Sequence, residues 1–383
     1  MPKKIPLPVI LLLLLGAVLL GGHLVPLSIK SIFLAVSLTL KSILLFVLPA
    51  IIFVYLFSCF TSFEGNVFLF IFALLLGVCA SNFLSTMIAY GLTHVGLPNI
   101  SYGNFNNTVL NPYWTITLPT LISNEWALFL GFGCGAVVSF FPHPLAFKIS
   151  GWGKKCATFF LDKFFIPLMP FFILGFLLKM QEEGILWYLV KTYLPILLML
   201  VGTYLLYLFF LYWIAAKGNF NNTLTYIRRT LPAGITGFSS MSSAAAMPLT
   251  LKAAEKNSEK PALVRAIVPA TVNIHLVGDS IGVPIIAMAI LITFGHPLPD
   301  FSSFLIFSGY FILAKFAIAA VPGGGIIVML PVLEKSLGFN GEMLGLITAV
   351  YILFDPLFTS TNVMGNGAFS IIFSRIFKSK KSL

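Results

Sequence analysis

Apolar run follows apolar run along nearly the whole chain, from PVILLLLLGAVLL through SILLFVLPAIIFVYLF and FLFIFALLLGVCA to AVYILF near the end. About 20 such residues cross the hydrocarbon core of a bilayer as one helix. A backbone in lipid must satisfy its own polar groups, so many such runs in series commit the chain to an all-α polytopic membrane protein. The charge content agrees, because 9% Asp, Glu, Lys and Arg against 58% hydrophobic residues cannot clothe a water-soluble core. No stretch is polar enough to form a separate soluble domain.

The basic excess, a net charge of +11, is scattered at the ends of the apolar runs, which excludes a nucleic-acid patch and reads as membrane topology. Spans are predicted near Pro6 to Leu20, Ile32 to Phe57, Val67 to Thr93, Ala127 to Phe141, Cys156 to Lys179 and Leu186 to Ala216. The first has a basic start like a secretory signal but lacks an obvious small-residue cleavage site, so a retained helix is expected. Lys3, Lys4, the group Lys148, Lys154 and Lys155, the group Lys217, Arg228 and Arg229, and the terminal Lys378, Lys380 and Lys381 mark the cytoplasmic side. Both termini are therefore expected in the cytoplasm of a multi-pass protein, with a bacterial-type cell inner membrane as its location. Cys59, Cys79, Cys134 and Cys156 have no metal-ligand spacing and read as small packing residues.

After Ala216 the pattern changes. Leu231 to Ala254 is interrupted by GITGFSSMSSAAAMP, Ala266 to Phe294 by NIHLVGDSIG, Phe304 to Leu333 by AAVPGGG, and Leu344 to Phe377 by FDPLFTSTNVMGN. Breaks are thus expected in four consecutive segments. The first has basic clusters on both sides and cannot simply cross once, so a re-entrant hairpin with its tip at Ser239, Ser240, Ser242 and Ser243 is predicted. A second hairpin turns at Pro322, Gly323, Gly324 and Gly325. Ser242 precedes His275 by 33 positions and Gly323 precedes Asp355 by 32, a spacing compatible with inverted repeats. Broken segments in matching places of two inverted halves point to a transporter site near the midplane; kinked packing helices are the plain alternative.

On the last helix, Asp355, Thr359, Asn362 and Asn366 fall at i, i+4, i+7 and i+11 and share one face, with Phe358 beside them. A carboxylate at the centre of a span costs about 2.5 to 3.5 kcal/mol on insertion scales, so it marks either a ligand surface or a protonated or lysine-paired helix contact. His275 and Asp279, also four apart, are expected to share a helix face, to hydrogen-bond and to carry protons.

These residues together resemble the dicarboxylate/amino acid:cation symporter family, the glutamate transporter homologues. The resemblance rests on SSAAAMPLTLKAAEK, AAVPGGGIIVML and FDPLFTSTNVMGN, with KSILLFVLPAIIF similar to the family's second helix. It implies eight transmembrane helices, two re-entrant helical hairpins, an elevator-type transport domain gated by the second hairpin, and a homotrimer. On this division 1–66 holds scaffold helices one and two, and 67–110 holds helix three and an outer loop. Scaffold helices four and five fall in 111–185, and the rest of the transport domain in 186–383.

The resemblance also assigns roles. Asp355 would hold an α-ammonium group and Thr359 would contact substrate. Asn362 would hold the α-carboxylate together with backbone groups near Ser242, Ser243, Val321 and Gly323. Phe358 and Met241 stand where family members place arginines for an acidic side chain, so a neutral α-amino acid is expected. The sodium-binding NMDGT is represented by HLVGD, with Val277 at its aspartate, His275 at its asparagine and Asp279 at its threonine. Asn366 replaces a further aspartate. Oxygens near Gly278, Asn362 and Asn366 are left for a weaker Na⁺ site, and His275, Asp279 and Asp355 for proton coupling. No resident cofactor is expected beyond co-transported Na⁺ or H⁺. A glutamate, aspartate or dicarboxylate symporter with altered coupling, or a leak channel, remain alternatives. An intramembrane aspartyl protease using Asp279 and Asp355 lacks the first glycine of GxGD, so no enzyme is expected.

Overall fold

The computed structural model describes residues 7–61, 68–97, 110–119, 122, 124–141, 143–318 and 324–377. Every regular element among them is helical. In chain order these are α1 (Leu7–Gly21), α2 (Leu27–Thr61), α3 (Phe68–Gly96), α4 (Asn124–Phe140), α5 (Pro144–Phe159), α6 (Ile166–Glu182) and α7 (Ile185–Ala215). There follow α8 (Phe220–Ser240), α9 (Ser243–Asn257), α10 (Pro261–Thr271), α11 (Val277–Thr293), α12 (Phe301–Lys315), α13 (Gly324–Leu337) and α14 (Gly341–Ile376). Three described helices are long and apolar enough to cross a bilayer, within Phe70–Gly96, Tyr193–Ala215 and Gly341–Ile376. Phe72, Leu76, Leu84 and Ile88 on α3, and Leu198, Leu205, Leu206 and Phe210 on α7, are exposed, the surface a lipid solvent asks for.

Two expectations about helix limits are corrected. The basic stretch predicted as a loop between the fourth and fifth spans is itself a helix, α5, with Lys148, Lys154 and Lys155 exposed on it. Pro144 occupies its first turn, where a missing N–H costs nothing, and the His143 ring nitrogen Nδ1 accepts from the Leu145 N–H at 3.3 Å. α5 then runs through a π-helical turn, Phe160–Phe165, into α6. The last segment was expected to be broken, yet α14 is one continuous helix of 36 residues with Pro356 inside it. A proline removes one ladder bond and crowds the preceding turn, and surrounding protein can hold a helix through that loss. Two other segments are broken as expected, at Met241–Ser242 and over 272–276, while the break expected at AAVPGGG falls largely outside the described residues.

The chain divides into two compact units. One takes Met1–Phe63, Leu97–Ile196 and Ile286–Leu353. Here α2 packs along α4, α5 and α6, and α12 packs on α13. Lys30 is buried against Gln181 Oε1 at 2.9 Å and pairs with Glu182, tying α2 to the end of α6. Lys315 is fully buried near the end of α12, its ammonium 4.4 Å above the Phe311 ring.

The other unit takes Glu64–Gly96, Leu197–Ile285 and Phe354–Leu383. Its core gathers Leu208, Tyr212 and Ala215 of α7, Ala254 of α9, Val264 and Val268 of α10, and Met364, Ala368 and Ile371 of α14. Burial of those side chains, each worth about 1.5–3 kcal/mol when large, draws α10 and α14 together. Tyr212 adds a hydrogen bond to the Met364 carbonyl at 2.8 Å. The first hairpin, α8 and α9, packs through Ala233, Ala246 and Val363. A Cβ on Gly237 would lie 3.1 Å from Val363 Cγ2 and 3.3 Å from the Thr359 carbonyl oxygen, so glycine lets α8 approach α14 this closely without pushing on either.

Candidate functional site

The first hairpin turns on two residues. Met241 adopts φ +50, the left-handed conformation that ends α8, and is buried. Ser242 is the N-cap of α9, its hydroxyl oxygen accepting from the Ala245 N–H at 3.3 Å. Ser243 is the first residue of α9, where N–H groups have no partner within the helix. Val321, and Pro322 and Gly323 of the expected turn of the second hairpin, lie outside the described residues, whereas Gly324 and Gly325, also expected in that turn, are the first residues of α13.

On α14 the polar face predicted from sequence is present and buried. Asp355, Thr359, Asn362 and Asn366 are each at most 4% exposed. Thr359 donates its hydroxyl hydrogen to Asp355 Oδ1 at 3.0 Å. One turn further on, Asn362 accepts the Gly278 N–H on Oδ1 at 2.7 Å and donates from Nδ2 to Asp279 Oδ2 at 2.5 Å. Asn366 accepts the Thr271 hydroxyl on Oδ1 at 2.6 Å and donates to the Val268 carbonyl at 3.3 Å. Phe358 is fully buried, edge-on to Tyr204 at 6.2 Å between ring centroids.

The expected helical pairing of His275 with Asp279 is corrected. His275 sits in the non-helical stretch 272–276, before α11 starts at Val277, so the two do not share a helix face. His275 Nε2 bonds the Ser81 hydroxyl at 2.8 Å and its ring stacks on Phe369 at 4.3 Å, whereas Asp279 is bonded by Asn362. The break itself removes the i→i−4 register on which the expectation relied.

Sequence reasoning missed Asn82 and Tyr204. Asn82, fully buried on α3, donates to the Ile274 carbonyl at 2.8 Å and accepts from the Leu276 N–H at 3.1 Å, supplying the backbone bonds that the break gives up. Tyr204 on α7 donates to the Gly278 carbonyl at 2.8 Å. A lone amide in the run LLLGVCASNFL was the available signal for Asn82. Tyr204, one of 12 tyrosines in an aromatic-rich chain, gave none.

Among the described residues no cluster of three or more His, Cys, Asp or Glu gathers as a metal centre. What the arrangement offers is a row of buried carboxylate, hydroxyl and amide groups on one helix beside a hairpin that starts a helix N-terminus. Such a row can hold the polar groups of a small molecule.

The comparisons with known proteins point the same way. The chain is 25% identical over 142 residues to the serine/threonine transporter SstT of Acinetobacter baumannii, a match covering 37% of this chain and 35% of that protein. It is 27% identical over 198 residues to excitatory amino acid transporter 1 of Rattus norvegicus, covering 51% and 36%. It is 31% identical over 146 residues to excitatory amino acid transporter 1 of Ambystoma tigrinum, covering 38% and 26%. The matched stretches span about a third of the length of these curated relatives. The model of the sodium:dicarboxylate symporter family matches residues 154–376, more than half of the chain and all of the site just described except Asn82 and Ser81. This chain therefore belongs to the sodium:dicarboxylate symporter family, a family of transporters and not of enzymes.

Proposed function

We propose that the protein is a secondary active transporter that carries a neutral α-amino acid into the cell with a cation. One observation carries this reading: a buried row of Asp355, Thr359 and Asn362 on α14, with α8 of the first hairpin packed against it. Asp355 supplies negative charge for an α-ammonium group. Asn362 has a second amide hydrogen to give an α-carboxylate, and the start of α9 at Ser243 adds N–H donors and the positive end of a helix dipole. The neutral side chain follows from Phe358 and Met241, both buried and apolar where a guanidinium would be needed. An acidic side chain brought against them would lose its water without gaining a partner.

The eight-helix topology with two re-entrant hairpins, the elevator movement, the homotrimer and the cytoplasmic placement of both termini belong to the same proposal. So does a reduced coupling stoichiometry of Na⁺ or H⁺. The test is uptake by the purified protein in proteoliposomes, with all twenty amino acids as competitors under imposed Na⁺ and pH gradients. Accumulation of a neutral amino acid, abolished in Asp355→Ala, is the expected result. Preference for glutamate or aspartate refutes the substrate assignment, and flux that never exceeds equilibrium makes the protein a leak.

A further inference from the structure

α5 presents a surface that the candidate site does not use. Along it Leu145, Ile149, Trp152, Cys156 and Phe159 fall at i, i+4, i+7, i+11 and i+14, so they share one stripe, and all five are exposed. A second side packs on α2: Ser150 and Ala157 are buried, and a Cβ on Gly153 would lie 3.1 Å from Val54 Cγ1. The remaining arc is basic. Lys148 and Lys155, seven positions apart, border the apolar stripe, and Lys154 lies further round the same exposed arc. No Asp or Glu occurs in α5, and no ion pair or hydrogen bond among the described residues engages any of these three ammonium groups.

Depth decides what meets this surface. α2 and α6 lie side by side, and Lys30 and Glu182 pair near one end of both. From Lys30 to Val54, where Gly153 packs, α2 advances 24 residues, about 36 Å along the membrane normal and less with any tilt. The hydrocarbon core is about 30 Å thick. With the charged pair at one edge of that core, Lys154 and Lys155 fall in the headgroup layer of the opposite edge, beside Trp152, an aromatic type enriched there. We propose that this face of α5 binds an anionic phospholipid, with an acyl chain against Trp152 and Phe159 and the headgroup phosphate on Lys148 and Lys155. Water alone would leave a long apolar stripe bare. A second copy docking by the same face would set lysine against lysine. A phospholipid with a negative headgroup answers both halves of the surface, and each lysine near it is worth roughly fivefold in affinity.

The test titrates the purified full chain, held in a neutral detergent, with phosphatidylglycerol or with phosphatidylcholine of the same acyl chains, and counts bound lipid by native mass spectrometry. Phosphatidylglycerol is expected to bind more tightly. That preference is expected to fall roughly fivefold in Lys155→Gln and to vanish in Lys148→Gln/Lys154→Gln/Lys155→Gln. All three positions are exposed, and the single variant serves should the triple one not fold. A diazirine-bearing phosphatidylglycerol is expected to label the segment 145–159. Trp152→Ser is expected to weaken both lipids by a similar factor, since the stripe carries no charge. Equal affinity for the two lipids, a preference that survives the triple substitution, or labelling confined to other segments overturns the proposal. So does a change of subunit number in the triple variant with lipid binding unaltered, which gives the face to a second copy. None of these readouts involves an amino acid or an ion gradient, so failure here leaves the transport reading standing, and absence of uptake leaves the lipid face standing.

Discussion

Replacing Gly278 with alanine probes the closest approach in the site. Its added Cβ would lie 3.0 Å from Asn362 Oδ1 and 3.1 Å from the Phe358 carbonyl carbon, and nearer still to that carbonyl's oxygen. The obstacle is backbone of α14, which cannot rotate aside as a side chain can. The start of α11 must back away from α14, stretching the 2.7 Å bond from the Gly278 N–H to Asn362. Overpacking costs about 1–3 kcal/mol, and the buried N–H left without its acceptor about 1–3 kcal/mol more. The two overlap, because one displacement relieves the first by causing the second, so the expected loss is about 2–4 kcal/mol. Tyr204→Phe is the companion: it keeps the ring beside Phe358 and deletes only the bond to the Gly278 carbonyl, at about 1 kcal/mol. Unfolding of both variants in nanodiscs, followed by denaturant titration, reads these losses. If Gly278→Ala is as stable as Tyr204→Phe or better, α11 does not meet α14 as described and the reasoning fails.

Other substitutions separate ligand contacts from packing. On the proposed transport reading, Asp355→Asn keeps the shape of the residue but removes the charge an ammonium group would meet, so half-saturation for uptake should rise roughly 10- to 100-fold while the thermal midpoint changes little. Phe358→Ala empties a fully buried site and should cost about 3–5 kcal/mol in stability, visible in the same denaturant titration. Lys30→Met removes the buried ammonium that bonds Gln181 and Glu182 and should cost up to about 3 kcal/mol, with part of that recovered in Lys30→Met/Glu182→Leu; a double-mutant cycle that shows no coupling would deny the pairing. Asp300, the exposed N-cap of α12, has its carboxyl held below the ordinary carboxylate range by the Ser303 hydroxyl and N–H. Its contribution is therefore present above about pH 4 and lost as pH falls through the lower folded value, so Asp300→Asn should flatten the midpoint-against-pH curve at its acid end.

The membrane class, the break between α8 and α9 and the polar face of α14 were legible because each follows from local periodicity or from polar groups placed where lipid forbids them. Asp355, Thr359, Asn362 and Asn366 lie on one helix, and helix geometry alone aligns them. The misreadings share one cause: they needed to know where a helix stops. His275 and Asp279 are four residues apart in either case, but His275 lies in the break, where it meets Ser81, while Asp279 lies on α11 and meets Asn362.

Sequence by itself determined that this chain lives in a bilayer and that a charged, amide-rich stripe runs down its last helix, because both are one-dimensional consequences of which side chains tolerate hydrocarbon. Only the tertiary structure decided what that stripe touches. The orphaned backbone around 272–276 recruits Asn82 from nearly 200 positions upstream and Tyr204 from about 70, and no local pattern encodes such a meeting. It follows from the cost of leaving a peptide group unbonded in a medium without water, a cost the chain can meet only by folding distant amides and hydroxyls onto it.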